Sequence, residues 1–201
     1  EGARVLSSIE EIYSTSDVII KVKEPLASEL DLIKDSQVIF TFFHFAANKK
    51  LLEKFIQTNA IAVAYETVED HKGNLPLLTP MSEIAGRMSI QNGAKYLEGT
   101  LGGKGKLLSG VPGVEPATVT IIGGGVVGLN AAKLASGLGA KVNVLDIDID
   151  RLRYLDDIMP SNVITHHSNT HTIKKLLPDT DLLIGGVLVP GSIAPKIIQR
   201  D

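Results

Sequence analysis

The stretch Ala117-Thr-Val-Thr-Ile-Ile-Gly-Gly-Gly-Val-Val-Gly128, carried through a helical segment to Lys141-Val-Asn-Val-Leu-Asp146, decides the fold. It reads as strand, glycine turn, helix, second strand and terminal acid, the order that a dinucleotide-binding βαβ unit requires. Gly123 can take the positive φ of a tight turn, Gly125 lacks the Cβ that would block a pyrophosphate, and Gly128 lets helix approach strand. The pyrophosphate is expected on the helix N-terminus, where unpaired N–H groups and the positive end of the helix dipole meet its charge. Ala131, Ala132, Leu134, Ala135 and Leu138 form the apolar face of that helix, and Gly139 supplies its stop. Asp146, at the end of the second strand, can accept hydrogen bonds from the adenosine ribose and repel a 2′-phosphate, which favours NAD over NADP. The plainer alternative is that Asp146 caps the following turn.

Outward from this unit the alternation continues. Strands are expected at Arg4–Leu6, Asp17–Lys23, Gln37–Phe43 and Ile61–Tyr65, with helices at Ser8–Tyr13, Ala27–Ile33 and Ala47–Thr58. After a turn-rich stretch, Thr79-Pro-Met-Ser-Glu opens a long helix to about Glu98, with threonine as N-cap and proline first. A glycine-dense, lysine-bearing loop then fills Leu101–Val114. Beyond Asp146 come a helix near Asp150–Ile158, a strand Val163–Thr165, a helix near Thr172–Leu177, a strand Asp181–Val187 and a helical turn after Pro190. The expected fold class is α/β with two doubly wound domains. Residues 1–75 form a partial substrate (catalytic) domain, and residues 76–201 form a Rossmann NAD-binding domain, incomplete at its C-terminal end.

Composition narrows the function classes. At 44% hydrophobic and 21% charged, with mean hydropathy +0.17, the chain has an ordinary globular balance. A net charge of −3 argues against nucleic acid or an anionic membrane as partner. No apolar run nears the roughly 20 residues of a membrane span, so a cytoplasmic location is expected. Having no cysteine, the chain makes no disulfide, thiolate metal site or cysteine nucleophile. It starts at Glu1 and stops in an unfinished α/β pattern at Asp201, and is expected to be an internal piece of a longer protein.

Two side chains outside the glycine unit could do chemistry. Lys23 and His44 each end an expected strand, and neighbouring parallel strands would bring both to the carboxyl edge of the sheet, where open α/β folds hold ligands. A lysine there can pair with a substrate carboxylate and polarise a carbonyl; a histidine can exchange the proton that accompanies hydride transfer. The ordinary alternatives are a solvated edge lysine and a structural histidine. Glu66, following the strand that ends at Tyr65, is expected beside the site rather than in it. His166, His167 and His171 lack a supporting carboxylate pattern and are expected in a solvated strand-end loop, so no metal site is assigned.

Lys21-Val-Lys-Glu-Pro, Phe43-His-Phe-Ala, Ala64-Tyr-Glu-Thr-Val, Pro80-Met-Ser-Glu-Ile-Ala-Gly-Arg-Met-Ser, Gly110-Val-Pro-Gly-Val and Ile122-Gly-Gly-Gly-Val-Val-Gly-Leu-Asn-Ala-Ala-Lys, in this order, resemble the bacterial L-alanine dehydrogenases, of the alanine dehydrogenase and transhydrogenase alpha-subunit family. The resemblance runs through essentially the whole chain. It implies reversible, NAD-dependent oxidative deamination of L-alanine to pyruvate and ammonia, in a cleft between the two domains. His44 would then be the catalytic acid/base, and Lys23 would bind the substrate carboxylate and carbonyl. The cofactor-binding set would be Ser82, Gly123, Gly125, Val126, Val127, Gly128, Asp146, Arg151, Ser168, Val187 and Leu188. Within it Ser82 meets the phosphates, Asp146 the ribose, Arg151 and Ser168 the adenosine end, and Val187 and Leu188 the nicotinamide side. Arg151 also reads as a plain helix-surface charge. By the same resemblance a substrate-binding arginine lies upstream of Glu1 and a catalytic aspartate downstream of Asp201, so these residues alone would bind NAD weakly and turn nothing over. A homo-oligomer, typically a hexamer, is implied as well. The main rival is the NAD(H)-binding component of a proton-translocating transhydrogenase, and a third reading is a deaminating or opine-type oxidoreductase for another amino acid.

Overall fold

The computed structural model describes residues 2–189 and 192–198. The chain forms two units, Glu1–Leu78 with Val189–Ile193, and Thr79–Leu188 with Ala194–Asp201.

In the first unit α1 (Ile9–Thr15), β1 (Val18–Ile20), α2 (Ala27–Leu30), β2 (Val38–Thr41), α3 (Lys49–Ile56) and β3 (Ile61–Ala64) follow one another. The strands pair in parallel in the order β1-β2-β3, with Val38 in register with both Val18 and Ile61. The Ser8 side chain caps α1 by accepting the Glu11 N–H at 3.1 Å, and Asn48 caps α3 by accepting that of Leu51 at 3.1 Å. Tyr13, Ile19, Leu30, Ile39, Phe43, Leu51 and Phe55 make the core. Gln37, just before β2, ties α1 down: its amide donates to the carbonyls of Tyr13 (2.9 Å) and Ser16 (2.7 Å). Burial, with a smaller contribution from Glu29, pushes the Tyr13 hydroxyl up to about 12.

The second unit runs α4 (Thr79–Leu97), β4 (Thr118–Ile122), α5 (Val126–Gly137), β5 (Lys141–Asp146), α6 (Ile149–Ile158), β6 (Val163–His167), α7 (Thr170–Leu176) and β7 (Leu182–Gly185). Its sheet is parallel in the order β6-β5-β4-β7. The chain winds outward from β4 to β6 and then returns to the other side of β4, so the winding reverses at β4. Fully buried Val119, Ile121, Val142 and Val144 alternate along the central strands and pack with Ile90, Ala131, Ala132, Ala135 and Leu155 from the helices. Close approach of α4 depends on missing side chains. A Cβ on Gly86 would overlap the Val127 carbonyl, and one on Gly93 would overlap Leu182. At the amino edge of the sheet Asp181 accepts the Thr118 N–H (2.9 Å) and Lys106 (2.8 Å) with one oxygen and Lys104 (3.2 Å) with the other. The lysine-bearing loop is thereby clamped across the starts of β4 and β7.

The parallel α/β reading holds in both units, with local corrections. Arg4–Leu6 is irregular rather than a strand, with Val5 98% exposed, because no ladder among the described residues offers its backbone partners. β1 and β2 stop at Ile20 and Thr41, short of Lys23 and His44. Helix α4 begins at Thr79 itself. His166 and His167 belong to β6 and His171 to α7, not to a loop. Of the helical turn expected after Pro190, Pro190 and Gly191 lie outside the described residues, and Ile193–Ile198 has no regular structure. No helix among the described residues is long and apolar enough to cross a membrane.

Candidate functional site

In the second unit the glycine turn leaves the carboxyl end of β4, at the point where the sheet reverses. Such a reversal point at the carboxyl ends of the strands is where open α/β sheets bind ligands. The turn is held on both sides: the Gly123 N–H donates to the Leu145 carbonyl on β5, and the Gly186 N–H, just past β7, donates to the Ile122 carbonyl, each at 2.7 Å. Gly123 has φ +101°, and a Cβ there would meet Gly186 at 2.8 Å. A Cβ on Gly128 would collide with the Gly123 carbonyl, so this glycine sets how closely α5 seats on the turn. Gly125 differs from both. It is the N-cap of α5, exposed, with no protein atom within 4 Å of where its Cβ would stand. Val126 and Val127 open the helix behind it and are half-buried. An open backbone cap at a helix N-terminus suits a pyrophosphate, so the residues present fit a dinucleotide.

Asp146 stands at the end of β5 beside this turn. Its Oδ2 accepts the Gly124 N–H at 2.6 Å, and its Oδ1 accepts the Asp148 N–H at 3.0 Å. The turn-capping alternative therefore operates, and it also locks the carboxylate against the glycine turn. Each oxygen keeps a lone pair able to accept a hydroxyl. Arg151 is more than a surface charge on α6. Its Nε donates to the Gly124 carbonyl at 2.6 Å, a terminal nitrogen reaches the Gly125 carbonyl at 3.4 Å, and the guanidinium lies 5.0 Å over the Tyr154 ring. The Ser168 N–H donates to the Asp146 carbonyl at 2.8 Å, which sets Ser168 at the neighbouring strand end. Half-buried Val187 packs near Ile122, Leu145 and Ile173, whereas Leu188 is exposed. Ser82 lies on α4 one turn before Gly86, on the face that meets α5. Arg87, also on α4, donates to Asn130 of α5 at 3.2 Å, a link with no signal in the sequence.

In the first unit Lys23 and His44 follow neighbouring parallel strands and share the carboxyl edge of the sheet. Their segments stay connected past the strand ends. The Phe42 N–H donates to the Val22 carbonyl at 3.2 Å, and the buried Thr41 hydroxyl donates to the Lys23 carbonyl at 2.7 Å. Lys23 and His44 are both exposed. Nearby Lys21 is instead paired with the buried Glu29, which separates two lysines that the sequence alone does not distinguish. The His44 ring stacks on Phe42 at 6.0 Å, and Glu66 binds the backbone under it, with its carboxylate 2.7 Å from the His44 nitrogen. His166, by contrast, bonds to Asn143 at 2.9 Å; burial, and then the Lys175 charge, hold it below the ordinary histidine value.

Together these features define an α/β protein whose second unit has Rossmann architecture. The chain belongs to the alanine dehydrogenase/PNT family. The description of the family's N-terminal domain matches residues 1–85, and that of its C-terminal domain matches residues 89–201. Over 200 residues it is 54% identical to an alanine dehydrogenase of Methanococcus maripaludis, covering 100% of this chain and 54% of that protein. A solved L-alanine dehydrogenase superposes with a TM-score of 0.86 at 49% identity, over 98% of this chain and 55% of that one. A transhydrogenase from Sinorhizobium meliloti superposes with a TM-score of 0.72 at 19% identity, over 94% of this chain and 55% of that one, a likeness of fold alone. The chain spans about half the length of the curated relatives it matches.

Proposed function

We propose that this chain is part of an NAD-dependent amino-acid dehydrogenase that interconverts L-alanine with pyruvate and ammonia. The observation that carries the reading is the open N-cap at Gly125 flanked by the fixed carboxylate of Asp146, in a chain 54% identical to an alanine dehydrogenase. Gly123, Gly125, Val126, Val127 and Gly128 would cradle the pyrophosphate, with Ser82 beside it. Asp146 would take the ribose, Arg151 and Ser168 would border the adenosine, and Val187 and Leu188 would flank the nicotinamide. NAD, when bound, supplies the acceptor for the hydride that leaves the alanine Cα.

The chain's own groups act on the substrate. The Lys23 ammonium pairs with the substrate carboxylate and polarises the carbonyl that develops. Loss of hydride leaves an imine, water adds to it, and the resulting carbinolamine collapses to pyruvate and ammonia. His44 takes up and returns the protons of the addition and of the departing amine. A homo-oligomer, by resemblance a hexamer, in the cytoplasm completes the proposal.

NAD reduction by L-alanine in the full-length protein, with glycine, serine and glutamate for comparison, tests it. Alanine-dependent NADH formation is expected, and His44→Ala should abolish it while leaving NADH affinity largely intact. NADH binding without oxidation of any amino acid would replace this reading with the transhydrogenase-type binding component.

A further inference from the structure

Among the described residues His44 is one of three non-glycine residues with positive φ, at +52°. That conformation is uncommon for residues other than glycine, histidine being among the more tolerant, and it costs energy unless contacts on either side hold it. The imposing contacts are visible on both sides of the residue. On one side the His44 carbonyl accepts the N–H groups of Ala47 (3.0 Å) and Asn48 (3.2 Å), which closes the turn into α3. On the other side Glu66, in the 3₁₀ turn Tyr65–Thr67 that follows β3, reaches across the sheet edge. Its Oε1 accepts the His44 N–H at 2.7 Å and the Phe43 N–H at 3.1 Å, and its Oε2 lies 3.3 Å from the Phe43 nitrogen. Two successive N–H groups aimed at one carboxylate define the direction of the chain there. Phe43 is fully buried there and His44 is exposed.

We propose that Glu66 is a positioning residue for His44: its carboxylate holds the Phe43–His44 backbone in the left-handed turn that presents the imidazole at the sheet edge. The inference rests on the reading of His44 as the acid/base. Without the acceptor the turn loses its hold on the N-terminal side, His44 relaxes toward negative φ, and the ring swings away from its working position. A misplacement of about 1 Å can cost up to roughly a hundredfold in rate without altering the binding of a cofactor held elsewhere.

The test uses the full-length protein. Glu66→Ala, and Glu66→Asp with its carboxylate drawn back by one methylene, should each lower kcat with L-alanine by about tenfold or more, with NADH affinity held within about twofold. Glu66→Gln keeps an oxygen where Oε1 accepts both N–H groups, and should retain kcat within about threefold. Unchanged kcat in Glu66→Asp, or equal damage in Glu66→Gln and Glu66→Asp, would overturn the proposal and leave the His44 reading standing. Normal turnover by His44→Ala would remove that reading and this proposal together. Should Glu66→Ala fail to fold, the Glu66→Gln and Glu66→Asp pair decides.

Discussion

Gly125→Ala separates a binding role from a folding role more sharply than any other substitution in the glycine turn. Beyond its chain neighbours no protein atom lies within 4 Å of the new methyl, and φ at this N-cap is −63°, so alanine's methyl meets no packed neighbour there. The folding cost is the weaker N-cap preference, about 1 kcal/mol or less, which lowers Tm by roughly 2–4 °C. The methyl does fill the space over the α5 N-terminus where a pyrophosphate would approach. Pushing that group off two backbone N–H donors forfeits charge-assisted hydrogen bonds of roughly 1.5–3 kcal/mol each. Even the lower sum, about 3 kcal/mol, is roughly a hundredfold in Kd. NADH fluorescence titration, run beside thermal denaturation of the same samples, measures both quantities. An NADH affinity within about threefold of the parent, with Tm as expected, would place the pyrophosphate elsewhere and refute the fit of a dinucleotide to this turn.

Gly128→Ala should behave oppositely in stability, because its methyl collides with the Gly123 carbonyl. A backbone clash that α5 can relieve only by moving should cost about 3 kcal/mol or more, read as a clear fall in the urea midpoint together with weaker NADH binding. For Asp181, burial alone would raise the carboxyl, but hydrogen bonds from Lys106, the Thr118 N–H and Lys104 with the Lys106 charge hold it below the ordinary aspartate value. Its contribution is therefore fully present above the unfolded-state pKa, about 3.9, and is lost as pH falls through the lower folded value. Asp181→Asn should reduce stability at neutral pH and flatten the acid limb of a urea-midpoint profile in that window; an unchanged acid limb would show that the clamp is not what titrates.

The readings taken from the sequence succeeded where the determinants are local. The strand read ahead of the glycine turn forms as Thr118–Ile122, because a β-branched apolar run ending at Gly-Gly-Gly leaves one strand and one turn available. Ser8, Asn48 and Asp148 cap their helices through bonds that span only two or three residues, although the reading of the sequence put Ser8 and Asn48 inside their helices. Where the outcome depended on a distant partner, the pattern was ambiguous or misleading. Arg4–Leu6 carries strand-forming residues but finds no ladder, and His166 and His167 look like loop residues but are drawn into β6 by pairing with Leu145 and Asp146.

The chemistry divides along the same line. Sequence by itself determined which residues could serve: the glycines at 123, 125 and 128, the acid at 146, and a lysine and a histidine each following an expected strand, since residue type and spacing along the chain are covalent facts. Only the tertiary structure decided how they are held. Asp146 is locked on the Gly124 N–H, Arg151 is turned onto the glycine carbonyls, Lys21 is neutralised by Glu29 while Lys23 stays exposed, and Glu66 fixes the backbone of His44. Apart from the Lys21–Glu29 pair, eight residues apart, those contacts join residues 22 to 27 positions apart in the chain. Their partners become neighbours only after parallel pairing has aligned the strand ends, because a strand's side-chain alternation states which face a residue takes but not which strand lies beside it.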